Sequence, residues 1–195
     1  MMYIVLEGID LVGKTTQIKL LKNEFKDAIF SLEPGATRLG QTLRNILLND
    51  EINISKRTEL LLFLVDRAQH YEEILSKNSN KLIISDRSFI SGIAYADEKF
   101  DFDTLLDLNI FALNGFLPQK CVFLKADIEL IQERLEKKAL DNIEKRGIDY
   151  LIKVQNNIEK CIKFLQKNKN LQVLILNARD DIDKLHKQIK DFIND

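Results

Sequence analysis

The sequence predicts an α/β fold of three layers, a five-stranded parallel sheet flanked by helices, on three observations. Short apolar runs alternate with helical patterns along the whole chain, the arrangement that gives right-handed strand–helix–strand units. The first strand–helix junction carries Gly8-Ile9-Asp10-Leu11-Val12-Gly13-Lys14-Thr15-Thr16, which fits the phosphate-binding pattern G-x-x-x-x-G-K-[ST]. With 195 residues, 45% of them hydrophobic and 30% charged, the chain can bury one domain-sized core and keep a solvated surface. Residues 1–195 therefore read as a single domain of the P-loop NTPase type, with a short lid at about 134–144.

The elements follow in order. Strands are expected at Tyr3–Glu7, Ala28–Leu32, Lys81–Ser85, Lys120–Lys125 and Leu171–Leu176, each a short apolar run. Helices are expected at Lys14–Phe25, Arg38–Leu48, Lys56–Ser76, Ser88–Ala96, Phe102–Asn114, Asp127–Lys138, Glu144–Gln166 and Asp180–Phe192. The last shows Ile182, Leu185, Ile189 and Phe192 at helical spacing. In parallel sheets of this kind ligands bind beyond the carboxyl ends of the strands. Chemistry is therefore expected after Glu7, Leu32, Ser85 and Lys125.

After strand 1, Gly8 and Gly13 allow a tight turn whose backbone N–H groups, with the helix N-terminus behind them, surround a polyphosphate. Lys14 reaches the β- and γ-phosphates, and the Thr15 hydroxyl can hold Mg²⁺. After strand 2, Glu33-Pro34-Gly35-Ala36-Thr37 is a turn and either a site loop or a plain connector. In the third helix, Glu59, Phe63, Arg67 and His70 share one face. Phe63 and Arg67 could stack a base and bond its carbonyl edge, or form a surface aromatic beside a solvated Arg. After strand 3, Asp86 stands where P-loop proteins keep an acid near the metal, and Arg87 can bind an anionic oxygen. The charge-rich stretch 133–144 is either a mobile lid or a solvated helix face.

Other classes are excluded or unsupported. No run of 18 apolar residues is present, so no membrane span is expected, and the chain enters its first strand too early for a signal peptide. A net charge of −1, from 29 basic and 30 acidic residues, implies no general nucleic-acid surface. Cys121 and Cys161 have no metal-ligand spacing and read as buried free thiols, which fits a cytoplasmic protein. A regulatory GTPase should show Asn-Lys-x-Asp after a strand. The nearest approach, Asn168-Lys169-Asn170-Leu171, lacks the Asp and precedes its strand.

Taken in order, these pieces resemble the thymidylate kinases. The matching stretches are Glu7-Gly8-Ile9-Asp10 with Gly13-Lys14-Thr15-Thr16-Gln17, Glu33-Pro34-Gly35 with Thr37, Arg57–Phe63 with Asp66-Arg67-Ala68-Gln69, and Asp86-Arg87-Ser88 with Ser91-Gly92 and Ala94-Tyr95. Asp141-Asn142-Ile143-Glu144 completes the series. The resemblance implies phosphoryl transfer from ATP to dTMP with Mg²⁺, on the way to dTTP, by a homodimer. It implies ATP binding by Gly8 to Thr16, and metal binding through Thr15, Asp10 and Asp86. For dTMP it implies Asp10, Glu33, Pro34, Phe63 on the thymine ring, Arg67 on its exocyclic oxygen, Arg87 on the phosphate, Ser91, Gly92, and Tyr95 under the deoxyribose. Catalytic charge falls to Lys14, Asp86 and Arg87. Some members carry a further Arg inside the P-loop, where this chain has Leu11, so Arg134, Lys137 and Lys138 of the lid are expected to supply it. Leu32, Ala36 and Asn142 stand where the family usually has Arg, Gly and Arg. The homodimer is also expected because Leu61, Leu62, Leu105, Leu106, Leu108 and Phe111 exceed what one sheet face absorbs.

Overall fold

All five apolar runs pair as parallel strands in a computed structural model that describes residues 2–49, 52–96, 98–136 and 146–195. The strands are β1 (Met2–Glu7), β2 (Ile29–Leu32), β3 (Leu82–Asp86), β4 (Lys120–Lys125) and β5 (Gln172–Asn177), in the order β2-β3-β1-β4-β5. β1 is central, and Tyr3 to Glu7 are buried at every successive position. Successive side chains of a strand point to opposite faces, so both faces of the sheet are covered, as a parallel sheet requires.

The covering helices are α1 (Lys14–Glu24), α2 (Arg38–Leu48), α3 (Lys56–His70), α4 (Phe89–Tyr95), α5 (Phe102–Ala112), α6 (Ile128–Leu135), α7 (Ile148–Lys169) and α8 (Ile182–Asn194). Among them α1 packs with α8, α4 with α7, and α3 with α2 and α5. Polar side chains start most of them: Thr37, Ser55, Ser88, Asp101, Asp127 and Asp181 each accept a backbone N–H of the first turn. α1 differs. It starts at Gly13 in the left-handed region with no side-chain cap, which leaves its first N–H groups open toward a cleft. Asn170, also left-handed, ends α7 and turns the chain into β5.

Two expectations on length are corrected. The predicted helix 56–76 is α-helical only to His70. A wider π turn (Tyr71–Leu75) and a 3₁₀ turn (Ser76–Asn78) complete it, with Leu75 fully buried. The helix predicted to start at Glu144 is described from Ile148 and runs on to Lys169. Most of the lid expected at 134–144, including Lys137, Lys138 and Asn142, lies outside the described residues.

Sheet register brings the site together. Leu6 pairs with Asp86, and Leu32 pairs with Asp86 from the other side. The Arg87 N–H then donates to Leu6 O at 2.9 Å and the Glu33 N–H to Asp86 O at 3.0 Å. Three of the loops expected to carry chemistry thus leave the sheet side by side.

Candidate active site

Glycine is required where β1 enters its loop. Gly8 has φ +145°, and a Cβ there would stand 2.6 Å from the Leu124 carbonyl oxygen of β4. Leu11 and Arg87 adopt φ near +70° without being glycine. Such positions cost on the order of 1–3 kcal/mol each and persist only where the surroundings fix them. Arg87 is fixed firmly. Its Nη1 donates to Gly8 O at 2.7 Å and Ser91 Oγ at 3.0 Å, and its Nη2 to Asp10 Oδ1 at 2.5 Å and the Tyr95 hydroxyl at 3.4 Å. Tyr95 in turn donates to Asp10 Oδ2 at 3.2 Å. Burial raises the Asp10 carboxyl, but the Arg87 and Lys14 charges outweigh it and hold it well below the usual carboxylate range. Ser88 and Ser91 both donate to Glu7, at 2.6 and 2.5 Å, and burial pushes that carboxyl up.

Lys14 is buried, and its ammonium donates to Gly8 O at 3.0 Å and Ile9 O at 2.7 Å. Burial, aided by the Arg87 charge, lowers its pKa from 10.5 to about 8. The Oδ1 of Asp86 is buried and has no hydrogen-bond partner among the described residues. With the exposed Thr15 hydroxyl across the same cleft, it forms the small oxygen donor set that suits Mg²⁺, which keeps waters and substrate phosphates as its other ligands.

Two clefts open here. One, about 1320 Å³, is lined by Asp10 to Gln17, Leu32, Glu33, Arg44, Asp86, Arg87, Arg134, the β5–α8 loop with Ala178 and Asp180, and the start of α8 with Ile182 and Leu185. Arg134 donates to the carbonyls of Leu11 and Ala178, so it ties the P-loop to that loop. The other, about 590 Å³, is lined by Pro34, Leu48, Phe63, Arg67, Ser88, Ser91, Gly92 and Tyr95, together with Asp10, Glu33, Arg44 and Arg87. Those last four line both clefts and mark the point where they meet.

Behind Phe63 a buried network forms. Glu33 accepts from Arg67 Nε at 2.8 Å and Nη2 at 2.7 Å through one oxygen, and pairs with His70 Nδ1 at 2.8 Å through the other. Burial raises this carboxyl, but Arg67 and then His70 hold it down at about 2. Asp66 accepts the Gly35 N–H at 3.0 Å, and burial with the nearby Glu33 charge pushes it up to about 6.

The structure therefore brings the P-loop, Glu33, Pro34, Phe63, Arg67, Asp86, Arg87, Ser91, Gly92, Tyr95 and Arg134 around two joined clefts. It does not leave them equally free. Glu33 and Ser91 are spent on positioning, and Arg134 grips backbone. Several lining residues escaped sequence reasoning. Arg44 of α2 donates to Pro34 O at 2.8 Å and lines both clefts, but nothing in its helix marks it. Ala178 and Asp180 had a signal. They follow the carboxyl end of β5, where the strand-end rule also places ligands.

A P-loop with an unpartnered acid beside it, joined to a second cleft with an aromatic wall and a planar donor fork, defines a nucleotide-binding phosphotransferase with separate donor and acceptor pockets. Comparison with known proteins makes this particular. The sequence model of the thymidylate kinase family matches residues 6–189, and the chain belongs to that family. It is 62% identical over 192 residues to a Campylobacter jejuni thymidylate kinase, covering 98% of this chain and 100% of that one. It is 54% identical to the enzyme of Campylobacter lari over 194 residues, with both chains fully covered. The thymidylate kinase of Nautilia profundicola is 50% identical over 196 residues, covering 100% of this chain and 97% of that one. A crystal structure of thymidylate kinase from Ehrlichia chaffeensis shares the fold, with a TM-score of 0.76 at 23% identity, covering 100% and 98% of the two chains.

Proposed function

We propose that the chain transfers the γ-phosphoryl group of ATP to dTMP, giving dTDP and ADP, as a step toward dTTP. The observation that carries this reading is the junction of the two clefts at Asp10, Glu33, Arg44 and Arg87. A donor polyphosphate in the P-loop cleft ends there, and so does an acceptor monophosphate from the other side. Holding both in line converts a two-body reaction into a unimolecular one, worth on the order of 7–11 kcal/mol.

Each residue has a role in this reading. The N–H groups of Gly8 to Thr16 receive the ATP phosphates, and Lys14 leaves its two carbonyls to follow the charge moving through the γ-phosphoryl. Thr15 and Asp86, with Asp10 beside them, would hold Mg²⁺, which would supply positive charge to the transferring phosphoryl group. Arg87, held on four sides, presents its guanidinium to the acceptor phosphate. Phe63 stacks on thymine, Arg67 donates to its carbonyl, and Pro34 and Gly92 close the pocket. Tyr95 packs under the sugar, where an added 2′-hydroxyl would meet its ring. Arg134 supports the donor side, and Lys137 and Lys138 add charge when the lid covers the phosphates. The two buried free thiols, Cys121 and Cys161, suit a reducing cytoplasm.

The reading includes a homodimer. Leu61 and Val65, one helical turn apart on α3, are 51% and 46% exposed, and Phe111 on the neighbouring α5 is 85% exposed. These are the residues a second copy would cover. Leu105 and Leu106, expected in the same role, are instead buried in the core. The testing experiment for the whole reading is an acceptor screen with dTMP, dUMP, UMP, dCMP and AMP under ATP and Mg²⁺. It predicts the highest kcat/KM for dTMP, and a preference for AMP would reject it.

A further inference from the structure

Arg67 is a buried cation whose side chain fills the floor of the acceptor cleft, and its position is set from three directions. Glu33 takes Nε and Nη2 through one carboxylate oxygen, and His70 holds the other oxygen of the same carboxylate. His70 is itself fixed by a 2.5 Å hydrogen bond between its Nε2 and Ser31 Oγ. Gly92 provides the second constraint. A Cβ there would stand 2.8 Å from both Nη atoms, so the guanidinium lies flat against the glycine backbone of α4. The third comes from α5, an element that contributes nothing else to the cleft. Asn109 is fully buried, and its Oδ1 accepts from Arg67 Nη1. The amide cannot turn over freely, because its Nδ2 donates to Leu105 O at 2.7 Å in the preceding helical turn.

We infer that Asn109 is a specificity-positioning residue: by accepting from Nη1 it fixes the plane of the Arg67 fork, and so sets which pyrimidine the cleft takes. The chemistry is one of donors only. A guanidinium has N–H groups and no acceptor, so what it faces must be a hydrogen-bond acceptor. A base with a carbonyl at its 4-position satisfies the fork, and a base with an amino group there presents donor to donor. Discrimination of this kind is strong only when the buried polar group cannot swing away from the wrong partner. Glu33 holds one edge of the guanidinium and the Gly92 backbone supports one face, so without Asn109 the Nη1 end can tilt away from Gly92 about the Glu33 edge. The inference rests on the reading that Arg67 contacts the acceptor base.

The experiment compares kcat/KM for dTMP and dCMP in the wild type and in Asn109→Ser, Asn109→Leu, Asn109→Asp and Arg67→Met. Ser is too short to reach Nη1, and Leu fills the volume without an acceptor, so one serves if the other does not fold. Each is expected to lower the dTMP/dCMP ratio about tenfold or more, through KM for dTMP, with KM for ATP unchanged. Asn109→Asp keeps the acceptor oxygen and is expected to retain most of the ratio, which separates positioning from mere packing. If Arg67→Met collapses the ratio while Asn109→Ser and Asn109→Leu preserve it, the inference is overturned and the reading of Arg67 stands. If Arg67→Met also preserves it, both fall. Equal losses for both acceptors, or an Asp variant as poor as Leu, would make Asn109 a structural residue and overturn the inference as well.

Discussion

Replacing Lys14 by Ala should separate catalysis from stability in opposite directions. The Lys14 ammonium is buried and, among the described residues, bonds the Gly8 and Ile9 carbonyls. Burial and the Arg87 charge bring its pKa from 10.5 down to about 8. At 1.36 kcal/mol per pKa unit, that shift corresponds to about 3 kcal/mol of unfavourable charge burial at neutral pH. The sign follows from linkage. Below pH 8 the lysine is protonated in both states and the folded protein carries the full penalty. As pH rises from about 8 toward 10.5 the folded form releases its proton first and the penalty is relieved, so this group's contribution to stability improves. Lys14→Ala removes the penalty and loses two hydrogen bonds worth about 1 kcal/mol each. Its melting temperature at pH 7 should therefore equal or slightly exceed that of the wild type. Turnover should fall about 10²–10³-fold, the usual effect of losing one preorganised charge at a transition state. Calorimetry and a coupled ADP assay read the two quantities. The same lysine predicts that wild-type kcat/KM for ATP declines above about pH 8, because that parameter reports the free enzyme. A variant that melts well below the wild type, or keeps more than about a tenth of its rate, would refute this account of Lys14.

Tyr95→Ala should reduce the preference for dTMP over its ribose counterpart, measured as a ratio of kcat/KM values. An unchanged ratio would assign the ring to holding Asp10 alone. Arg134→Ala and the double change Lys137→Ala/Lys138→Ala should each lower kcat about tenfold or more with dTMP affinity little altered. For Arg134 the loss should include a weaker hold on the P-loop, because its guanidinium bonds Leu11 and Ala178. Near-normal kcat in both would reduce the lid to a cover. Light scattering should report twice the 22.6 kDa of one chain at micromolar concentration, and Leu61→Glu/Phe111→Glu should shift it toward the monomer. A wild-type mass of one chain would reject the dimer.

What was legible in the sequence was local or periodic. The P-loop is contiguous, so nine consecutive residues carry its chemistry, and the strands are short enough for apolar runs to mark them. The rule that ligands gather beyond strand ends then located Glu33, Asp86 and Arg87 without tertiary information. Properties created by packing were not legible. Arg44 and Asn109 sit on ordinary helices, and only the approach of α2 and α5 to α3 makes them part of the site. Ser91 and Glu33 line the acceptor cleft, but nothing in their spacing shows that Ser91 also donates to Glu7 or that Glu33 also accepts from Arg67. Helical periodicity on α5 does not separate Leu105 and Leu106, which face the core, from Phe111, which faces out, so the apolar excess expected on α3 and α5 is smaller than the sequence suggests. The change of helical winding after His70 left no trace in composition, since Tyr71 to Leu75 continue the same apolar spacing.

In the proposed reaction one phosphoryl group passes directly between two clefts that meet at Asp10, Glu33, Arg44 and Arg87. The most direct measurement uses ATP labelled at its γ-phosphate, with enzyme in excess and Mg²⁺ present, with and without dTMP. With dTMP in large excess the label should move into dTDP, and without dTMP almost none should be released as inorganic phosphate. Release of labelled phosphate at a rate indifferent to dTMP would contradict it and make the protein a nucleotide hydrolase.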